Sequence, residues 1–92
     1  MKIAVVDDNP KDGGRIKQYI ERYALEQDQK FQVFLYASGL DFLDDMERNF
    51  DVVFMDIEMP HLDGIETARK MRERDDTTIL IFITNLAQYA IH

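Results

Sequence analysis

The chain has 92 residues, the size of one small domain, and its 46% hydrophobic and 32% charged residues are ordinary for a globular protein. The absence of cysteine excludes disulfides and thiolate metal sites, and no apolar run approaches the roughly 20 residues of a membrane span. The net charge of −7 argues against nucleic-acid binding by this segment and is compatible with cationic metals and basic partner surfaces. Because the apolar start Met1–Val6 is short and is followed by aspartates, it does not resemble a signal peptide, and we expect a cytoplasmic protein.

The first predicted strand is the apolar run Ile3–Val6, which ends at the pair Asp7–Asp8. Asn9–Pro10 suits a helix start, since proline is tolerated in the first turn. Two glycines, Gly13 and Gly14, follow within the first turns, and we expect them to fray the start of this helix. The helix is predicted from one apolar stripe at helical spacing: Ile16, Tyr19, Ile20, Tyr23 and Ala24.

The second predicted strand is Phe31–Tyr36, which is rich in aromatic and β-branched residues and is interpreted as an outer strand. Ser38 and Asp41 then form a pattern like a capping box, which indicates the start of a short helix. That helix is predicted to end near Asn49, with an apolar side made of Leu40, Phe42, Leu43 and Met46.

The third predicted strand has no polar face over Val52–Met55, which is typical of a strand buried on both sides of a parallel sheet. Asp56 follows where this strand should reach the surface, and Pro60 stops the run. A cap signal at Asp63 opens the next helix, whose apolar side is predicted to contain Ile65, Ala68 and Met71.

A fourth buried strand is predicted over Thr78–Ile83, ending at Thr84, and Asn85 is a suitable N-cap for one more helix. Strands that alternate with helices predict right-handed crossovers and a parallel sheet, which defines an α/β fold. Since no linker, internal repeat or low-complexity tract divides the chain, residues 1–92 are interpreted as one domain.

Polar side chains follow three of these strands: Asp7 and Asp8, then Asp56, then Thr84. The carboxyl ends of parallel strands meet at one edge, where open α/β sheets bind their ligands. If the strands are neighbours, the carboxylates converge and repel one another, and a divalent cation relieves the repulsion. Carboxylates without histidine or cysteine nearby favour Mg²⁺ or Mn²⁺. A carboxylate beside such an ion can also act as a nucleophile and form an aspartyl phosphate.

Each of these residues has a plainer interpretation as well. Asp56 alone can be a turn cap before a proline, and the two histidines, His61 and His92, are interpreted as loop or surface residues. Thr67, Thr77 and Thr78 are expected to be cap or surface residues. Solvated faces are expected for the remaining carboxylates considered: Asp41, Asp44, Asp45, Glu73, Asp75 and Asp76.

Three features in this order resemble a bacterial response-regulator receiver domain of two-component signalling. They are Asp7–Asp8 after the first strand, Met-Asp-Ile-Glu-Met-Pro with Gly64 after the third, and Ile-Phe-Ile-Thr at the end of the fourth. The resemblance covers essentially the whole chain, and it depends on the order and spacing of the motifs rather than on any one of them. The tail Phe82–His92 is similar to receivers of the LytTR-output type, in which a downstream partner domain binds DNA.

The resemblance implies a flavodoxin-like, doubly wound parallel sheet with strand order 2-1-3-4, in which the fifth strand and fifth helix of the family are missing. It makes Asp56 the phosphoacceptor and Thr84 the switch hydroxyl. Asp8 is implied to bind Mg²⁺ (or Mn²⁺) directly, together with Asp56, and Asp7 mainly through water. Further implied roles are a metal-binding backbone carbonyl at Glu58 and loop-shaping residues at Pro60 and Gly64.

The implied activity is transfer of a phosphoryl group from a sensor histidine kinase to Asp56, followed by hydrolysis. On this interpretation the protein is a signalling phosphoacceptor rather than an enzyme with a separate substrate, and it switches a DNA-binding output domain. Catalysis is then positioning and charge neutralisation.

The chain departs from the family pattern after the fourth strand. No lysine follows Lys70, so the lysine that family members place on the fifth strand, beside the phosphoryl group, cannot be assigned. Without a fifth strand, Thr78–Thr84 would be an exposed apolar edge that invites pairing with another chain. We therefore expect a homo-oligomer formed through this edge or by exchange of elements.

Two alternatives belong to other functional classes. A haloacid-dehalogenase-like phosphohydrolase also uses an aspartate after an apolar strand, but it requires a second aspartate two residues later, where this chain has Glu58. A receiver-like interaction module that is never phosphorylated is the other alternative. Hydrolysis of a phosphomonoester would identify the first, and a lack of response to beryllofluoride with Mg²⁺ would identify the second.

Overall fold

The computed structural model describes residues 1–83, so the predicted roles of Thr84 and Asn85 and the tail of the chain lie outside the described residues. Strands and helices alternate as predicted, and a single 3₁₀ turn follows the second helix. The strands are β1 (Lys2–Val6), β2 (Gln32–Tyr36), β3 (Val52–Asp56) and β4 (Ile79–Ile83). The helices are α1 (Pro10–Glu26), α2 (Gly39–Asp44) and α3 (Gly64–Arg74), with the 3₁₀ turn at Met46–Arg48.

The four strands form one sheet in the order β2-β1-β3-β4, and every described pairing is parallel. This confirms the predicted fold class and strand order. The register sets Val6 opposite Met55 and Asp56 opposite Ile83. The carboxyl ends of β1, β3 and β4 therefore lie side by side at one edge of the sheet.

The main core lies between the sheet and the helices α2 and α3. Met55 and Met71, interpreted from sequence as packing residues, are fully buried here, and Met59 of the loop after β3 joins them. The buried cluster is made of Ala4, Val6, Phe42, Leu43, Phe50, Val53, Met55, Met59 and Met71. This cluster fixes the distance between β3 and α3, the two elements that flank the loop 57–63.

The opposite sheet face packs against α1, which contacts β1 and β2. Beside it, a groove of about 920 Å³ runs between α1 and the last two strands and is lined by Tyr19, Phe54 and Phe82 among others. Ile79, Ile81 and Phe82 of β4 are 59%, 42% and 41% exposed. The prediction of a buried fourth strand is therefore wrong for these three described side chains, although Thr78, the first residue of the predicted strand, is buried.

Three side chains cap the helices where the sequence predicts caps. Asn9 Oδ1 accepts from the backbone N–H groups of Lys11 and Asp12, at 2.9 and 3.3 Å. The Oγ of Ser38 accepts from Asp41 N at 3.1 Å, and Asp63 Oδ1 accepts from Glu66 N at 2.9 Å. The predicted fraying at the start of α1 stays a prediction. The helix is continuous from Pro10, because its cap satisfies the first N–H groups.

Several expectations about individual side chains are wrong because they ignored tertiary contacts. Thr67 and Thr78 are buried rather than on the surface. The hydroxyl of Thr78 lies 3.0 Å from Phe50 O and also contacts Asp75, whose pKa is lowered by that contact and by Thr77. Leu40 and Ile65, which were predicted to lie on the apolar sides of their helices, are instead 58% and 38% exposed.

A polar contact joins the end of β2 to the 3₁₀ turn. The Tyr36 hydroxyl donates to Asp45 Oδ2 at 2.5 Å, and the same oxygen accepts from Arg48 Nε. Burial, followed by the neighbouring carboxylate, raises the pKa of Tyr36, and the two donors lower the pKa of Asp45. The Tyr36 ring also packs edge-on against Phe42 and Phe50, at 5.8 Å in each case.

We expect Tyr36→Phe to lower the free energy of unfolding by about 1 kcal/mol, since it deletes one partly buried hydrogen bond and keeps the ring. Urea unfolding at pH 7 measures this. Tyr23→Phe, at an exposed position of α1, is the matched control and should leave the stability unchanged. An equal loss of unfolding free energy in both variants would contradict a stabilising role for the hydrogen bond from Tyr36 to Asp45.

Candidate functional site

Three carboxylates converge at the carboxyl edge of the sheet. Asp7 and Asp8 directly follow β1, and Asp56 is the last residue of the neighbouring strand β3. One carboxylate oxygen from each of the three lies within 4.8 Å of the others. Because Val6 pairs with Met55, the register alone brings Asp7 beside Asp56, as the sequence predicts.

Asp7 is held by its own turn and is 8% exposed. Its Oδ1 accepts from the backbone N–H of Asn9 at 2.9 Å, which fixes one carboxylate oxygen. The same turn leads into the first residues of α1. Burial raises the pKa of Asp7, while the hydrogen bond from Asn9 opposes that rise. Asp8, by contrast, is exposed, so the cluster is open to solvent on that side.

Asp56 is intermediate in burial, since Asp7 is buried and Asp8 is exposed. Its Oδ1 accepts from Glu58 N at 3.2 Å, which turns the chain away from the sheet immediately after the strand. Burial, and next the charge of Asp7, raise the pKa of Asp56 from 3.8 to about 6. Like charges are therefore crowded together here, and the ionised form of the cluster is destabilised.

The raised pKa of Asp56 predicts a pH-dependent stability in metal-free solution. The stabilising effect of the bound proton is fully present below pH 3.8 and is lost as pH rises through about 6. We expect Asp56→Asn to match the wild type near pH 4 and to be about 1 kcal/mol more stable at pH 7, a value reduced for solvent screening. Urea unfolding of both proteins at the two pH values measures this, and equal stability at pH 7 would contradict it.

The loop after Asp56 is anchored at both ends. Met59 is buried in the core, whereas Pro60 is exposed and His61 has a left-handed backbone (φ 65°). Gly64 closes the loop, and its N–H donates to Ile57 O at 3.0 Å. A Cβ at Gly64 would lie only 2.1 Å from the carbonyl oxygen of Asp56. Glycine is therefore required where α3 meets the end of β3.

Sequence reasoning missed a second close contact, at the far side of the first turn of α3. A Cβ at Gly39 would lie 2.1 Å from Thr67 Oγ1, so the start of α2 packs directly on Thr67. A usable signal was the helical spacing of Gly64, Thr67, Ala68 and Met71, all of which are buried. That spacing indicates that Thr67 faces inward with its neighbours.

Two further predicted site residues are Thr84 and Glu58. Thr84 lies outside the described residues, although Ile83 just before it pairs with Asp56 and its carbonyl accepts from Ile57 N at 3.1 Å. Glu58 lies in the loop with an exposed side chain, and its role as a carbonyl ligand stays a prediction. Its backbone N–H donates to the Asp56 carboxylate.

The donor set suits a hard divalent cation. Three carboxylates supply oxygen ligands only, and positive charge relieves the repulsion that, after burial, raises the pKa of Asp56. Two sides of the cluster are fixed by hydrogen bonds to backbone N–H groups, and the exposed Asp8 leaves room for water, which Mg²⁺ retains.

A parallel sheet in the order β2-β1-β3-β4, with an acidic cluster after β1 and β3, defines the class of receiver-like α/β proteins. The model of the response regulator receiver domain family matches residues 3–91. The chain therefore belongs to the response regulator receiver domain family, whose members are signalling domains of two-component systems.

Relatives and solved structures agree with this membership. The chain is 35% identical over 82 residues to the transcriptional regulatory protein ResD of Bacillus subtilis, covering 87% of this chain and 31% of that protein. It is 30% identical over 81 residues to the transcriptional regulatory protein SrrA of Staphylococcus aureus, with the same coverage of 87% and 31%. The response regulator DrrB of Thermotoga maritima superposes with a TM-score of 0.64 at 34% identity, over 90% of this chain and 35% of that one.

A receiver domain from Methylobacillus flagellatus superposes more closely, with a TM-score of 0.79 over 91% of this chain and 69% of that one, and its 23% identity supports the fold alone. The chain spans about a third of the curated transcriptional regulators that it matches. Among residues 1–83, no helix is long and apolar enough to cross a membrane.

Proposed function

We propose that this receiver accepts a phosphoryl group on Asp56 from a sensor histidine kinase in the cytoplasm and thereby switches a DNA-binding output domain of a longer protein. The observation that supports this most strongly is the convergence of the Asp7, Asp8 and Asp56 oxygens within 4.8 Å, in a chain of the receiver family. Family membership also favours this function over the phosphohydrolase alternative. The LytTR type of output stays a prediction.

Asp56 is the nucleophile in the proposed reaction. A carboxylate oxygen forms a bond to phosphorus while the bond from phosphorus to the histidine nitrogen breaks, and the leaving imidazole retains the electron pair. Hydrolysis later transfers the phosphoryl group to water and regenerates the carboxylate. The backbone N–H of Glu58 donates to Asp56 Oδ1 and so helps to orient the carboxylate.

Mg²⁺ is the proposed cation, held by Asp8 and Asp56, with Asp7 acting mainly through water and Glu58 through its carbonyl. When bound, it neutralises charge on the carboxylates and on the phosphoryl oxygens. The burial of Asp7 and its bond to Asn9 support a role in shaping the site. Thr84 is the proposed switch hydroxyl, because it follows Ile83, which pairs with Asp56.

A titration with beryllofluoride, a mimic of the phosphoryl group, tests this proposal. In amide NMR spectra of the 92-residue chain with Mg²⁺, we expect shifts centred on Asp56, Glu58 and Thr84. Asp56→Asn should abolish them, whereas Asp76→Asn, at an exposed position beyond α3, should not. A folded wild-type protein without any response would instead favour the interaction module that is never phosphorylated.

The proposal includes self-association through β4. Its support is the exposed apolar side chains of Ile79, Ile81 and Phe82 on β4, one of the two edge strands of the described sheet. Light scattering should show a dimer or higher oligomer that Ile81→Lys weakens and Leu25→Lys, at an 83% exposed position outside the groove, does not. A stable monomer at high concentration would contradict self-association and leave the phosphoacceptor role unaffected.

A further inference from the structure

The first turn of α3 is clamped between two parts of the chain. On one side, Gly64 lies against the carbonyl of Asp56, where an added Cβ would be 2.1 Å from the oxygen and 2.8 Å from Ile57 Cα. On the other side, Thr67 lies against Gly39 at the start of α2, and the side chain of Thr67 is fully buried. Both contacts are too close to admit a Cβ without a shift of the neighbouring atoms.

Thr67 is also fixed within its own helix. Its hydroxyl donates to Asp63 O at 2.8 Å, and its backbone N–H donates to the same oxygen at 2.9 Å. The side chain of Asp63 caps the helix through Glu66 N, and the next residue, Gly64, donates to Ile57 O at 3.0 Å. Thr67 is thus tied to the residue that precedes the contact with the acceptor strand.

We propose that Thr67 is a positioning residue for the phosphoacceptor: its packing on Gly39 sets how closely the first turn of α3 approaches the backbone from Asp56 to Glu58. That backbone supplies the N–H that holds Asp56 Oδ1. The inference rests on the proposed function for its consequence in Mg²⁺ binding, but the placement of the backbone can be measured without metal.

A double-mutant cycle tests this positioning role. Gly39→Ala introduces a Cβ whose three nearest atoms all belong to the Thr67 side chain. We expect it to shift the amide resonances of Ile57 and Glu58 in the metal-free protein and to weaken Mg²⁺ binding by about tenfold, as loss of a supporting contact does. Thr67→Ala removes the two closest of those atoms, so Gly39→Ala combined with Thr67→Ala should recover much of the Mg²⁺ affinity.

Gly14→Ala is the matched control, because a Cβ there would meet nothing within 4 Å. It should leave the Mg²⁺ affinity and the resonances of Ile57 and Glu58 at their wild-type values. If Gly39→Ala does not fold, Thr67→Ala alone tests the positioning role. It should shift the amide resonances of Ile57 and Glu58, because the first turn of α3 loses its contact with Gly39.

Two results would overturn the inference. One is a Gly39→Ala protein that is destabilised in urea yet keeps wild-type Ile57 and Glu58 resonances and Mg²⁺ affinity, which would make the contact structural only. The other is a double variant no better than Gly39→Ala. If the wild type itself binds no Mg²⁺, the proposed function fails, and the metal-free resonances still decide the positioning role.

Discussion

Replacing Asp56 by asparagine is expected to abolish phosphoryl uptake while leaving the fold intact. The amide keeps the shape of the carboxylate but lacks the anionic oxygen that attacks phosphorus. It also removes one of the three charges crowded at the site. In the wild type, burial and then the charge of Asp7 raise the pKa of Asp56. At pH 7 the stability should therefore rise while reactivity is lost, a combination that a general loss of structure does not produce.

The measurement is intact mass after incubation with a small phosphodonor and Mg²⁺. The wild type should gain one phosphoryl group, and Asp56→Asn should gain none. Asp76→Asn, which changes the net charge equally at an exposed position, should behave like the wild type. Phosphorylation of Asp56→Asn at the wild-type rate would show that another residue is the acceptor.

The largest effect on stability is expected for Gly64→Ala. The new Cβ would lie 2.1 Å from Asp56 O, 2.8 Å from Asp56 C and 2.8 Å from Ile57 Cα. All three atoms belong to the backbone of the acceptor strand and its exit, so no side-chain rotation relieves the collision. We expect the free energy of unfolding to fall by about 3 kcal/mol, at the upper end for overpacking.

Gly14→Ala provides the comparison within the same chain. That glycine is helical and open, and alanine should raise the stability by up to about 1 kcal/mol through helix propensity. Urea midpoints of the two variants should therefore move in opposite directions from the wild type. A Gly64→Ala protein as stable as the wild type would contradict the close contact between α3 and Asp56.

The fold and the position of the acidic cluster could be predicted from local patterns. Apolar runs such as Val52–Met55 identify strands buried in a parallel sheet, and a carboxylate directly after such a run must lie at its carboxyl edge. The pairing of Val6 with Met55 then brings Asp7 beside Asp56. These relations need only the strand order, which the family resemblance supplied.

Contacts between elements distant in sequence could not be predicted in this way. Thr67 was expected on the surface, yet Gly39 packs on it from another helix. The burial of Gly13 near Asp7 was not predicted either, because helix propensity penalises a glycine without regard to its neighbours. Propensity describes a residue in isolation, and these outcomes depend on how closely two backbones approach.

Site-resolved mass spectrometry of the phosphorylated chain tests the central claim most directly. After incubation with a phosphodonor and Mg²⁺, the phosphoryl group should map to Asp56, and chelation of the metal should prevent its uptake. Asp7 and Asp8, within 4.8 Å of Asp56 at the same edge, should remain unmodified. A phosphoryl group on either of them, or uptake that does not depend on the metal, would contradict the assignment of Asp56 as the metal-assisted acceptor.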